Sequence, residues 1–160
     1  MHDATEPVAE PAEPVDEPVD APRLLESVPN VSAGRDKGVV NELIAAVDAG
    51  IVEGAALDDS TALLADVHVD GDHDRSVFTI VGHGEALAAA LEALAATSVE
   101  LIDIHAGHGV HPRVGALDVL PIIALDGAHS RDTAHALVER LAAYLGGELG
   151  VPTVAYGQQR

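Results

Sequence analysis

The sequence predicts an α+β fold in which helices pack on one face of a mixed β-sheet, built from split βαβ elements. Three observations carry that prediction. Short apolar or β-branched runs alternate with stretches of helical period in the order strand, helix, strand, strand, helix, strand, helix, strand. The 160 residues include two tyrosines, one phenylalanine and no tryptophan, so the core is aliphatic and alanine-rich, which favours close approach of helix to sheet. The length suits one compact domain.

Order begins at Leu24 to Val28, an apolar run stopped by Pro29, Asn30, Ser32 and Gly34, which reads as a strand entering a polar turn. Val39, Val40, Leu43, Ile44 and Val47 then recur at helical spacing, with Gly50 as terminator. Leu63 to Val69 and Ser76 to Val81 flank the turn VDGDHD and read as paired strands. Glu85 to about Ala96 places Leu87, Leu91 and Leu94 on one face of a second helix that runs on toward Ile102. Ala116 to Leu125 is apolar but interrupted by Pro121, as in a strand with an irregularity or an edge position. A third helix starts near Ser130, striped by Leu137, Leu141, Tyr144, Leu145 and Leu149, and Gly150 with Pro152 ends it before a strand from Thr153 to Tyr156. This order is ferredoxin-like.

Composition narrows the function. The 27 acidic against 8 basic residues give a formal charge of −19, and Lys37 is the only lysine, so nucleic acid and anionic membranes are disfavoured partners. The acidic excess is spread along the chain, which suits a protein kept soluble in a salt-rich, halophilic cytoplasm. Cysteine is absent, which removes disulfides, thiolate metal sites and cysteine nucleophiles. No basic region followed by an apolar run opens the chain, and no apolar stretch approaches the roughly 20 residues that span a bilayer, so a soluble, cytoplasmic protein is expected. Residues 1–22 are a run of Glu, Asp, Pro, Ala and Val that reads as a disordered acidic tail, leaving 23–160 as the domain.

Chemistry concentrates between Asp103 and Pro121, where DIHAGHGVHPRVGALDVLP sets three histidines, an arginine and two aspartates among glycines and prolines. Such a loop is poor scaffold and well suited to presenting side chains. His111 is the candidate general base, since an imidazole takes up and returns a proton near neutrality, and Arg113 offers a fork of donors to a carboxylate. A second polar cluster, His68, Asp70, Asp72, His73, Asp74 and Arg75, occupies the strand connection and is expected to meet the first. A metal site on His105, His108 and His111 is the weaker reading, because Gly107, Gly109 and Pro112 disrupt the helical face that three-residue spacing needs; no metal is assigned. Asp70, Asp72 and Asp74 taken separately read as a solvated acidic turn, while Arg75, at a strand start, anchors a ligand or a neighbouring aspartate. His83, His129 and His135 read as surface residues, and Gly115 and Asp118 as residues that shape and cap the loop.

Four stretches together resemble the formiminotransferase family, specifically the N-terminal subdomain of the glutamate formimidoyltransferases. They are LLESVPNVSAGR (24–35), DVHVDGDHDRSVFTIVG (66–82), HPRVGALDVLP (111–121) and LGVPTVAYG (149–157). The resemblance implies transfer of a formimino group from N-formimidoylglutamate to N5 of tetrahydrofolate, releasing glutamate, as a late step of histidine degradation in folate one-carbon metabolism. Tetrahydrofolate is thereby implied as co-substrate. His111 matches the family's catalytic histidine, and Arg113 with the DHDR turn (Asp72, His73, Asp74, Arg75) matches positions lining the groove for folate and substrate. His68, Gly115 and Asp118 complete the site implied for an acidic ligand.

Some residues depart from the family's pattern. Val31 and Ala33 replace a usual phenylalanine and glutamate, Ala106 to Val110 replace the usual R-H-K-G-E, and Asp74 stands for a common asparagine, removing a donor. The family's transferase unit has two subdomains with the groove between them. A separately encoded C-terminal subdomain or a homodimer is therefore an expected partner, with a non-catalytic folate-binding or partner-binding module as the alternative.

Overall fold

The computed structural model describes residues 22–106, 109–127 and 129–157. The acidic tail expected over 1–22 lies outside the described residues save for its last position, and so does His108. The elements in chain order are β1 (Leu25–Ser27), β2 (Asn30–Val31), α1 (Lys37–Ala55), β3 (Ala62–Asp70), β4 (Arg75–Gly82), α2 (Gly84–Leu101), β5 (Leu117–Val119), β6 (Ile122–Ala124) and α3 (Arg131–Gly147).

β1 and β2 form one lane of the sheet, broken at Val28 and Pro29, and both pair with β4. Proline lacks the N–H a ladder needs, and here its carbonyl instead accepts from Phe78 N at 3.1 Å. β5 and β6 form a second lane, broken at Leu120 and Pro121, with β5 on β2 and β6 on β1. β3 lines the other edge of β4. The lanes therefore run β5/β6, β1/β2, β4, β3.

The α+β architecture expected from sequence is the one observed, but the sheet is antiparallel at each recorded pairing rather than mixed. The reason is topological. The crossover through α1 makes β3 run parallel to β1, yet β4 is inserted between them, so the parallel lanes never become neighbours.

Residues of β4 alternate between two environments. Phe78 and Ile80 are fully buried and share one core with Leu25 of β1, Leu43 and Val47 of α1, Leu87, Leu91 and Leu94 of α2, and Leu137 and Leu141 of α3. Val77, Thr79 and Val81 point the other way and are half-buried. Among the described residues, no helix is long and apolar enough to cross a membrane.

Three element boundaries differ from the sequence reading. α1 continues through Gly50 to Ala55 instead of stopping there, because its glycines serve packing against α2. A Cβ on Gly50 would lie 2.7 Å from Ala89 O, and one on Gly54 would lie 2.2 Å from Glu85 O. Asn30 and Val31, expected in a turn, form β2. The strand expected from Thr153 to Tyr156 is absent: both segments of the edge lane beside β1/β2 are already supplied by β5 and β6, and Val154 stays 90% exposed.

Gly54→Ala is expected to destabilise the fold by about 1–3 kcal/mol through overpacking between α1 and α2. Gly146→Ala, in α3 with open space around it, is expected to stabilise by up to about 1 kcal/mol. Urea unfolding midpoints moving in opposite directions would check the pair.

Candidate functional site

Three segments converge at one end of the sheet: the loop after β2, the tight turn between β3 and β4, and the 109–116 loop that precedes β5. Each is fixed by backbone chemistry before any functional side chain is considered. Asp70 builds the turn, its Oδ1 accepting from Asp72 N and His73 N at 2.9 Å each, while Oδ2 lies 2.7 Å from His73 Nδ1. The His73 backbone N–H, then its ring, hold the Asp70 carboxyl below the usual carboxylate range. The turn closes with Asp74 at φ 54°, a left-handed conformation that aspartate tolerates better than most residues.

Asp74 is the hub. It is buried, its Oδ1 accepts from Gly34 N and Arg35 N at 2.9 Å each, and its Oδ2 pairs with Arg113 Nη2. One carboxylate thereby ties all three segments together. Gly34 is required beside it, since a Cβ there would meet Asp70 O at 2.4 Å.

Asp118 anchors the 109–116 loop in the same manner. Its Oδ1 accepts from Gly115 N at 2.7 Å and Val114 N at 3.1 Å, and its Oδ2 pairs with Arg75 Nη1. Ser32 stitches the loop to the end of β2: its Oγ donates to Gly115 O and its N–H to Ala116 O, both at 2.8 Å. Val110 N donates to Asp72 O at 3.1 Å.

His111 is presented on this frame with its ring exposed to solvent. Its Nδ1 lies 2.6 Å from Pro112 O. A carbonyl can only accept, so in the neutral ring Nδ1 carries the hydrogen and Nε2 keeps its lone pair for a ligand. Arg75 Nη1 lies 3.4 Å from the same Nδ1, so with Nδ1 protonated two donors face each other there, and the shorter contact to Pro112 O is the one that assigns the tautomer. The His73 ring stands edge-on to His111 with centroids 6.3 Å apart.

The expected meeting of the two polar clusters is therefore observed for His73, Arg75, His111, Arg113, Gly115 and Asp118. Asp72 joins through its backbone alone. His68 stands apart: on β3 it pairs in register with Val77 of β4, and among the described residues it makes no hydrogen bond, ion pair or ring contact with this cluster, although Val77 and Arg75 alternate onto the same sheet face. The side chains of Arg75 and Arg113 are 10% and 12% exposed and already paired to carboxylates. They frame the site more than they open into it.

Two residues do more than the sequence reading gave them. Asp74, a member of the DHDR turn matched to the groove, read by itself as part of a solvated turn, yet it is the most connected carboxylate of the corner. The signal available was its position directly before Arg75 at the end of a glycine-containing turn, where a left-handed residue is needed. Arg35 was not singled out at all; its Nε donates to Gly71 O at 2.7 Å. Among the described residues, no three His, Asp or Glu side chains converge as a metal-ligand set.

Comparison with known proteins is consistent along the described fold. A family model described as the formiminotransferase domain, N-terminal subdomain, matches residues 24–160. The chain is 38% identical over 136 residues to a glutamate formimidoyltransferase of Thermoplasma acidophilum, covering 84% of this chain and 41% of that protein. It is 31% identical over 134 residues to a glutamate formimidoyltransferase of Streptococcus pyogenes, covering 42% of that protein. A formimidoyltransferase-cyclodeaminase of Sus scrofa is 34% identical over 139 residues, of which the chain covers 23%. The chain thus spans about two fifths of the two transferases and about a quarter of the bifunctional protein.

Proposed function

Because the chain belongs to the formiminotransferase family through its N-terminal subdomain, we propose that the His111 corner is the catalytic part of a site that moves a formimino group from N-formimidoylglutamate to tetrahydrofolate. N5 of the folate attacks the formimidoyl carbon and forms a tetrahedral adduct. His111 Nε2 takes the proton that N5 loses and returns it to the glutamate nitrogen as that carbon–nitrogen bond breaks. The products are 5-formimidoyltetrahydrofolate and glutamate, with no net change in protons on the histidine.

The observation that carries this reading is the placement of His111: it is exposed, with Nδ1 2.6 Å from Pro112 O, and the tautomer assigned from that contact leaves Nε2 free for a ligand. Three of the chain's 8 basic residues, Arg35, Arg75 and Arg113, gather at this corner, Arg75 and Arg113 each paired to a largely buried carboxylate. Arg75, Arg113, His73, Asp72 and Gly115 form the wall of the site in this account, Asp118 holds the wall, and His68 extends its polar rim along the sheet.

The second reading is a folate-binding or partner-binding module without turnover, favoured by the residues that replace the family's usual pattern before His111. In either reading the remaining wall belongs to the part of the relatives' length that this sequence does not span. Backbone NMR with N-formimidoylglutamate and tetrahydrofolate tests the location. Shifts confined to residues 32–36, 71–75 and 110–118 are expected, and shifts elsewhere, or none, would sink the assignment.

A further inference from the structure

We propose that Arg35 is the residue of this corner that receives a ligand carboxylate; the inference rests on the reading of the corner as a formimino-transfer site. Three arginines meet there, and two are occupied. Arg75 is held by Asp118 and Arg113 by Asp74, each pair largely buried. Arg35 differs on both points: it is exposed, and among the described residues no carboxylate lies within ion-pair distance of its guanidinium.

Its placement is nevertheless fixed. The backbone N–H of Arg35 donates to Asp74 Oδ1 at 2.9 Å and its Nε to Gly71 O at 2.7 Å, so both ends of the residue are tied to the turn that carries His73. With Nε engaged, the edge formed by the two terminal nitrogens remains, and that edge matches a carboxylate in bidentate fashion. Two neighbouring carboxylates are already committed. Asp36 caps α1 through Gly38 N and Val39 N, and Asp70 is bound up in the turn. The ligand class is a small molecule with a free carboxylate, bound so that its other end reaches His111.

The test compares two probes, N-formimidoyl-L-glutamate and its diamide, which lacks both carboxylates and keeps the formimidoyl group, titrated into wild type, Arg35→Gln and Arg35→Lys by NMR. Arg35→Gln is expected to weaken the dicarboxylate by about tenfold or more, the size of a charge-assisted hydrogen-bonded contact. Arg35→Lys should fall between, since an ammonium keeps the charge and loses the fork. The diamide and the melting temperature should be unmoved. Equal loss of both probes, or wild-type affinity for the dicarboxylate in Arg35→Gln and Arg35→Lys, would overturn the role of Arg35 and leave the functional reading standing. Failure of the wild type to bind either probe, both alone and with the portion of the Thermoplasma acidophilum relative that this chain does not span, would overturn both.

Discussion

Replacing His111 by alanine is expected to lower formimino transfer by about 10²–10⁴-fold, the range over which a positioned acid–base group contributes, with the melting temperature unchanged. The second half of that expectation comes from exposure. The His111 ring faces solvent and is held by its neighbour's carbonyl, so its removal opens no core cavity and orphans no buried charge. The first half comes from its free nitrogen. With Nδ1 turned to Pro112 O, Nε2 alone can accept a proton, and among the described residues His73 is the only other imidazole in ring contact with it. His73 is turned instead toward Asp70. Binding of N-formimidoylglutamate should therefore survive the substitution while turnover does not, a split read directly from kcat and KM.

The second large effect is on stability. Asp118→Ala is expected to destabilise the fold by about 3–5 kcal/mol, because breaking a buried pair leaves the surviving charge without compensation. The Asp118 and Arg75 side chains are 9% and 10% exposed, so solvent cannot replace the lost partner fully. The same substitution strands Val114 N and Gly115 N, which Asp118 Oδ1 accepts. Asp118→Asn keeps an oxygen for those two N–H groups and loses the charge opposite Arg75, so it should fall between wild type and alanine. Urea unfolding of the three proteins checks the order, and an alanine variant within about 1 kcal/mol of wild type would contradict the buried-pair account.

The sequence revealed the fold where periodicity was strong and obscured it where packing decided. α2 and the β3–β4 hairpin were legible because leucines on one face and β-branched runs around a polar turn each specify a single local answer. The end of α1 was not legible, since Gly50 read as a terminator although the close approach of α2 is what requires it. The final extended segment had strand composition, but the lane it would join was already filled by the two pieces on either side of Pro121. For the site, His111 and Arg113 were visible because glycine and proline around them leave little structural purpose for an imidazole and a guanidinium. Asp74 was hidden: a third aspartate in an acidic turn looks like its neighbours until the fold brings Gly34, Arg35 and Arg113 against it.

The most direct measurement of the central claim is turnover. The purified chain, in concentrated potassium chloride, is given N-formimidoyl-L-glutamate and tetrahydrofolate, alone and with the portion of the Thermoplasma acidophilum relative that this chain does not span. The account predicts formation of 5-formimidoyltetrahydrofolate and glutamate in at least one of the two mixtures, lost when His111 is alanine. Absence of product in both mixtures, or product formation that persists undiminished in the His111→Ala protein, would contradict it.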